Sequence, residues 1–298
     1  MVLRTSVPLA LGAAVYQINV LIDSFMANNL LATGGASTYY YANRIQQLPL
    51  ALVATAATSA VFPAMKALAH KRAFGELRRL HEHTHLAIAF VALPASVGLL
   101  VLATPVTACL LQRGEFGPEG VARTASAIRM LCLALLPAGA VGLLSRAFYA
   151  LGDFSTPVRV SVVSLLLNIL LNTLFVVGFD LDTAGLALST ALVSWLTVAL
   201  LVPRLARRIR DGAGADVLGL AGFGGRIVKM VVASLACGAV AATLHWLTAD
   251  DARSMTALAL AIAAGIGTYA VAAQLLDLPE WSSARAKIAA RLPRRQGR

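Results

Sequence analysis

The sequence predicts an all-α, polytopic membrane bundle of about eight transmembrane helices, and its composition, segment lengths and loop charges all indicate this class. Of the 298 residues, 58% are hydrophobic and 13% are charged, whereas roughly a quarter of the residues in soluble domains are charged. The mean hydropathy is +0.76. Apolar segments recur along the chain, and each approaches the ~20 residues with which a helix crosses a bilayer.

The spans follow one another with short polar connections. The second and the fourth are longer than a bilayer requires, so we expect them to tilt or to extend into water. The fifth opens on Thr156-Pro157, since proline suits the first turn of a helix. In chain order the predicted spans are 5–32, 38–66, 86–111, 121–150, 157–179, 184–204, 226–247 and 255–277.

Loop charges give the orientation of the spans. If the helices simply alternate, one side collects the connections that are rich in Lys and Arg, and the other side collects connections with no charge or with acids. Because basic loops stay in the cytoplasm, both termini are predicted to be cytoplasmic. The distribution of the basic residues among loops and tail thus explains the net charge of +11 by membrane topology, so no nucleic-acid partner is expected. The basic segments are 67–85, 146–159, 204–229 and the C-terminal tail.

The domain organisation follows from a stretch rich in Gly and Ala at 211–225, which has the composition of a flexible linker. We expect a transporter lobe of six helices at 1–210, this linker, a terminal helix pair at 226–278 and a basic cytoplasmic tail at 279–298. The glycines of the linker do not form a phosphate-binding loop, because neither a preceding strand nor a following Gly-Lys-Ser/Thr is present. No organic cofactor or ATP site is therefore predicted.

Arg44 is the first candidate site residue. It stands in an apolar helix with no Asp or Glu within twenty residues on either side. A charge at membrane depth is costly unless it faces a wet cavity or a partner, so it marks a functional site by default. Arginine grips phosphate groups bidentately and stays charged. The sequence therefore predicts a substrate site for an anionic ligand at Arg44 and its neighbour Asn43.

A second polar set lies within the spans. Asp23 is in the first span, Asn168 and Asn172 share one face of the fifth, and Thr190 is in the sixth. Carboxylate, amide and hydroxyl oxygens are suitable ligands for a hard cation. The same residue types also join membrane helices through hydrogen bonds, and Asp23 is a candidate counter-charge for Arg44. These alternatives stay open from the sequence alone.

The run His81-Glu82-His83-Thr84-His85 fits the zinc-protease pattern H-E-x-x-H, with His81 and His85 on one helical face. A catalytic zinc needs a third protein ligand in a shielded site, and no later segment offers an obvious one. A histidine-rich cytoplasmic helix end, with at most adventitious metal binding, is the alternative. An intramembrane metalloprotease nevertheless stays as a hypothesis of a different functional class.

Four stretches together resemble the MurJ (MviN) family of lipid II flippases, and their order and spacing match across nearly the whole chain. They are Gln17-Ile18-Asn19 through Asp23; Tyr40-Tyr41-Ala42-Asn43-Arg44-Ile45 with Leu48-Pro49; Gln112-Arg113-Gly114-Glu115-Phe116; and Phe148-Tyr149-Ala150-Leu151-Gly152-Asp153 with Thr156-Pro157.

The resemblance implies helices seven to fourteen of a fourteen-helix, two-lobed transporter of the bacterial inner membrane, in the superfamily of multidrug and oligosaccharidyl-lipid exporters. The chain would then be a fragment, a record with a mis-called start, or a half-transporter whose partner is a separate or missing six-helix half. The implied function is flipping of an undecaprenyl-pyrophosphate-linked peptidoglycan precursor by alternating access. Export of another polyprenyl-linked oligosaccharide is the alternative. Membrane lipids are the other expected partners.

The resemblance also implies roles for particular residues. Arg44 would line the cavity and contact the pyrophosphate of the ligand, although many relatives carry Asp where this chain has Asn43. Asp23, Asn168, Asn172 and Thr190 would bind a monovalent cation such as sodium. The terminal helix pair would form a hydrophobic groove.

Overall fold

The structure is a computed structural model that describes residues 2–58, 61–213, 220–249 and 254–291, and these residues form helices and short connections without a strand. The all-α prediction is therefore confirmed. The helices are α1 (Val2–Leu30), α2 (Gly35–Thr58), α3 (Val61–His70), α4 (Phe74–Leu111), α5 (Pro118–Cys132), α6 (Leu135–Ala150), α7 (Ser155–Thr173, continued by a π-helical turn to Gly178), α8 (Asp182–Ala213), α9 (Leu220–Thr248), α10 (Met255–Leu275) and α11 (Pro279–Arg291).

Among the described residues, five helices are long and apolar enough to cross a membrane, namely α4, α7 with its π-helical turn, α8, α9 and α10. The α5–α6 pair passes the same test together and bends by 43° at its break. Helices α1 and α2 occupy the places of the first two predicted spans. Each of the eight predicted spans thus contains helix, and residues 59–60 of the second lie outside the described residues.

The third predicted span begins earlier than expected, at Phe74 instead of near residue 86. The added turns are amphipathic, because Leu77 is 1% exposed and joins the apolar core around Met65 and Phe148. The connection from α3 is correspondingly tight, and Arg72 turns the chain with a φ of +55°.

The predicted domain boundaries remain predictions. Helix α8 continues through the first residues of the predicted linker to Ala213, and α9 begins at Leu220. The centre of that linker, 214–219, lies outside the described residues. The predicted tail begins with the helix α11, and its end, 292–298, is likewise outside the described residues.

The break between α5 and α6 interrupts the helical hydrogen-bond pattern, and backbone carbonyls within a span must be satisfied by protein. The Leu131 carbonyl accepts from the Ala134 backbone amide at 2.9 Å. The side-chain amide of Gln46 on α2 donates to the Leu131 carbonyl at 2.9 Å. The indole of Trp195 on α8 donates to the Leu133 carbonyl at 3.0 Å. The two flanking helices therefore hold the bend in place.

The α9–α10 pair packs on one side of α4. Gly238 on α9 allows close contact, since a β-carbon there would lie 2.5 Å from Val97 on α4. Tyr269 on α10 donates its hydroxyl to the Phe90 carbonyl at 2.8 Å. A second apolar cluster around Ile128 and Leu131 is formed by α1, α2, α4, α5, α8 and the π-helical turn. The candidate sites lie where α1 and α2 meet α7 and α8.

Candidate functional site

Arg44 lies on an exposed face of α2. Its guanidinium donates to the Tyr40 hydroxyl at 3.1 Å and to the Gln47 carboxamide oxygen at 3.1 Å. It also lies 5.1 Å from the centre of the Tyr40 ring, within the range of a cation–π contact. Both partners are neutral, and no ion pair between described side chains includes Arg44. The positive charge is held in place without being neutralised.

The surroundings of Arg44 are largely apolar. Leu48, one turn further along α2, is 69% exposed, and Leu52 after it is 64% exposed. On the neighbouring α1, Leu21 and Phe25 are each 68% exposed. A cation within an apolar surface of low dielectric attracts an anion more strongly than one in bulk water does.

Asn43 is half-buried and turns back towards its own helix, where its amide donates to the Tyr39 carbonyl at 3.1 Å. The two residues predicted to bind substrate are neighbours in sequence, but they point to different surroundings. Arg44 reaches the open face, whereas Asn43 stays beside Tyr39. Asn43 is therefore in a position to support α2 rather than to meet a ligand on that face.

Three of the four residues predicted to bind a cation meet in one buried cluster. Asn172 on α7 donates to the Asp23 carboxylate on α1 at 2.8 Å and to the Asn168 carboxamide oxygen at 3.1 Å. Asn19 donates to the other Asp23 oxygen at 3.1 Å. Asp23 is 8% exposed, and Asn168 and Asn172 are buried. The cluster joins α1 to α7.

Thr190 lies at the edge of this cluster. Its hydroxyl donates to the Leu186 carbonyl of its own helix at 3.0 Å. The fourth predicted residue therefore lies beside the cluster, with its hydroxyl bonded within α8.

Sequence reasoning missed Ser189, whose hydroxyl lies within hydrogen-bonding distance of both the carboxamide oxygen of Asn172 and the Leu186 carbonyl. Ser189 has no exposed surface. It stands four residues after Gly185, which is also buried. Two small residues at this spacing often mark a face where membrane helices pack closely, and that signal was present in the sequence.

Asp23 is not the counter-charge of Arg44 in this structure, because the two side chains have different partners. The Asp23 carboxylate receives amide hydrogens, and no described ion pair includes it. A buried charge is costly unless a counter-charge or a bound ion balances it. The cluster thus offers one negative charge and several neutral oxygens to a cation.

His81 and His85 share a face of α4, with ring centroids 4.5 Å apart. Among the described residues, no group of three His, Cys, Asp or Glu side chains is placed to hold a metal ion. The two histidines instead line the end of an apolar cavity of about 350 Å³ between α4, α6, α8 and α9. Arg78 and Glu82 line the same end and form an ion pair at 2.7 Å.

Comparisons with known proteins decide the family. The family model described as "Lipid II flippase MurJ" matches residues 1–264. The chain belongs to the lipid II flippase MurJ family. The resemblance seen in the four sequence motifs is therefore confirmed. Since this is a family of membrane transporters, the expectation of a multi-pass transporter protein is confirmed at the level of the family.

Individual relatives agree with this assignment. A probable lipid II flippase of Vibrio cholerae is 33% identical over 198 residues, which cover 65% of this chain and 37% of the relative. A probable lipid II flippase of Helicobacter pylori is 35% identical over 163 residues, which cover 54% of this chain and 35% of the relative. The chain thus spans well under half the length of these two relatives.

Solved structures show the same fold. A lipid II flippase MurJ in an inward closed conformation matches with a TM-score of 0.68 and 22% identity, over 89% of this chain and 51% of that chain. An outward-facing multidrug resistance MATE transporter of the MOP superfamily matches with a TM-score of 0.54 and 15% identity, over 95% of this chain and 66% of that chain.

Proposed function

We propose that this chain acts as one lobe of a flippase that moves an undecaprenyl-pyrophosphate-linked peptidoglycan precursor, lipid II, across the bacterial inner membrane. The family assignment supports the class of transporter. The observation that supports this cargo is Arg44, an exposed guanidinium on an apolar face with only neutral partners. A pyrophosphate presents the paired oxygens that a guanidinium binds bidentately.

The shape of the bundle suggests how the cargo moves. The face made by α1 and α2 carries the exposed side chains Phe25, Arg44 and Leu48. A second six-helix lobe opposite this face would enclose a cavity with Arg44 in its wall. Rocking one lobe against the other would expose this cavity to each side of the membrane in turn. In this proposal both termini are cytoplasmic, on the side of the basic connections.

The buried cluster suggests the coupling ion. We propose that Asp23, Asn168, Asn172 and Thr190, together with Ser189, form a site for a monovalent cation such as sodium. One carboxylate balances one positive charge, and the remaining groups supply neutral oxygens. Because these side chains come from α1, α7 and α8, a bound cation would stabilise one arrangement of those helices.

Rescue of a bacterium depleted of its own lipid II flippase tests the transport proposal. One arm expresses the chain alone, and the other expresses it behind the first six helices of a family member, with membrane insertion measured in both. We expect the fusion to rescue growth and Arg44→Ala or Arg44→Glu in that fusion to fail. Arg113→Ala, which removes an exposed arginine from the α4–α5 connection, is the control.

Two outcomes would contradict this proposal. Full rescue by the Arg44→Ala fusion would remove the proposed anion site. Failure of the unmodified fusion despite normal insertion would point to another cargo, and competition between lipid II and other polyprenyl-linked glycans in proteoliposomes would then identify it.

Sodium-dependent thermal stability tests the cation proposal. Sodium should raise the melting temperature of the chain relative to choline, because an ion that binds only the folded state stabilises it. Asp23→Asn should abolish this increase, whereas Asp180→Asn, an exposed acid outside the cluster, should keep it. An equal response to sodium in the Asp23→Asn variant would show that the cluster only joins the helices.

A further inference from the structure

Three adjoining depressions lie where α7 begins and α8 approaches its C-terminal end. Their volumes are about 370, 200 and 280 Å³. The second and third share Thr156 and Arg204, and the first and second share Arg208. Together they form one surface, the α7–α8 basic surface, which is lined by Arg159, Arg204, Arg207 and Arg208.

The positive charge of this surface is largely unbalanced. Among the described side chains, only Arg208 has a carboxylate partner there, Asp153 at 3.1 Å. That carboxylate also bonds the first turn of α7, because it accepts from the Thr156 backbone amide at 3.0 Å and from the Ser155 hydroxyl at 3.1 Å. Arg159, Arg204 and Arg207 therefore keep their charge for a ligand.

The same hydrogen bonds set the protonation of Asp153, which lies in the α6–α7 turn outside the spans. Burial raises the pKa of Asp153, but the hydrogen bonds from Thr156 and Ser155 and the charge of Arg208 outweigh this effect and hold the pKa below its usual value. Asp153 therefore stays ionised at neutral pH and keeps Arg208 in place.

The depression between Arg159 and Arg204 has an apolar floor. It is lined by Val160, Val163 and Leu200 in addition to the two arginines and Thr156. Val163 is 45% exposed. Further along the same helix Leu166 is 62% exposed, so the floor continues onto an apolar face of α7. The arginines at the end of the span suit the charged head group of a membrane lipid, and the apolar channel beside them suits its acyl chain.

We propose that the α7–α8 basic surface binds the phosphate of an anionic glycerophospholipid between Arg159 and Arg204, with an acyl chain along Val160, Val163 and Leu200. Basic pockets between transmembrane helices on the cytoplasmic side bind such head groups. This site lies on a different part of the bundle from Arg44, and it does not depend on which cargo is moved.

A lipid fits this surface better than a soluble phosphate does. The arginines lie at the exposed ends of their helices, where water and salt weaken their attraction for a free ion. A phospholipid is already concentrated in the membrane plane, and its acyl chain also gains from burial against the apolar floor. The apolar floor is therefore the feature that separates the two sources of phosphate.

Native mass spectrometry of the full chain in detergent tests this proposal. The chain is titrated with phosphatidylglycerol, with phosphatidylcholine and with inorganic phosphate, and the apparent Kd of the first bound molecule is measured. Because a basic residue close to an acidic head group contributes about a fivefold gain in affinity, Arg159→Gln/Arg204→Gln should weaken phosphatidylglycerol binding about 25-fold. Binding of phosphatidylcholine should not change.

The matched control is Lys71→Gln/Arg79→Gln, which removes two exposed charges on the same side of the bundle. It should keep its affinity for phosphatidylglycerol. Arg159→Lys/Arg204→Lys preserves charge and should retain most of the binding, which guards against misfolding of the glutamine variant. Equal affinities in the glutamine variant and the unmodified chain would overturn the proposal. Arginine-dependent binding of inorganic phosphate that matches the lipid would also overturn it, in favour of a soluble ligand.

Discussion

Replacement of Asn172 by alanine should destabilise the bundle strongly, because Asn172 is the central residue of the buried polar cluster. It has no exposed surface. Its amide donates to Asp23 at 2.8 Å and to Asn168 at 3.1 Å, and its carbonyl accepts from Ser189. Asn172→Ala removes all three bonds and leaves a carboxylate, an amide and a hydroxyl without those partners inside the bundle.

The expected loss follows from these three bonds. A neutral hydrogen bond contributes about 1 kcal/mol and one to a carboxylate about 2 kcal/mol, which sums to about 4 kcal/mol. Hydrogen bonds measured within membrane bundles average about 0.6 kcal/mol each, which gives a lower bound of about 2 kcal/mol. We therefore expect Asn172→Ala to lower the free energy of unfolding by about 2–4 kcal/mol.

Unfolding by titration with a denaturing detergent measures this change in mixed micelles. Thr173→Ala is the control, since Thr173 is the next residue of α7, is exposed, and donates only to the Ile169 carbonyl of its own helix at 2.9 Å. Thr173→Ala should change the free energy of unfolding by no more than about 0.5 kcal/mol, as is usual for surface substitutions. Equal losses for the two variants would refute the view that the cluster joins α1, α7 and α8.

Three further predictions concern the rest of the bundle. Gly139→Ala should lower the free energy of unfolding by about 1–3 kcal/mol, because the new β-carbon would lie 2.8 Å from side chains of α2 and α4. Gly142→Ala is the control, since its β-carbon has room. Similar thermal unfolding of the two variants would contradict this packing. Arg123→Ala should lower the melting temperature more than Arg113→Ala, because the Arg123 guanidinium on α5 donates to the Asp182 carboxylate of α8 at 2.6 Å and to the Thr33 carbonyl of the α1–α2 turn at 2.9 Å. Indistinguishable melting curves would contradict this expectation. The pKa of Asp153 is lowered on folding, so its stabilisation is complete above the unfolded value of about 3.9 and is lost as the pH falls through the lower folded value. Asp153→Asn should remove this acid dependence from unfolding curves, and an unchanged pH profile would contradict it.

Local patterns in the sequence predicted much of the fold. Apolar runs near bilayer length predicted where the spans lie, since the need to satisfy backbone polar groups in lipid leaves few alternatives to helix. The start of α4 at Phe74 was missed because its first turns are amphipathic, and an amphipathic turn does not resemble an apolar span. The break between α5 and α6 was also missed, since the side chains that bond its carbonyls come from helices distant in sequence.

Some features of the candidate site could be predicted from the sequence, and others required the structure. Arg44 is conspicuous in the sequence because a charge in an apolar helix is a local feature. The contact between Asp23 and Asn172 joins residues 149 positions apart, so only the packing of α1 against α7 reveals it. The family resemblance suggested these residues as a set, but the role of Ser189 required the structure.

The most direct test of the central claim is the affinity of the chain for undecaprenyl pyrophosphate, measured in nanodiscs for the unmodified chain, Arg44→Ala, Arg44→Lys and Arg113→Ala. A charged hydrogen bond contributes about 1.5–3 kcal/mol, so Arg44→Ala should weaken binding about 10- to 150-fold. Arg44→Lys should lose less affinity than Arg44→Ala, and Arg113→Ala should bind with the affinity of the unmodified chain. Unchanged affinity in Arg44→Ala would show that the exposed guanidinium of α2 does not hold the pyrophosphate.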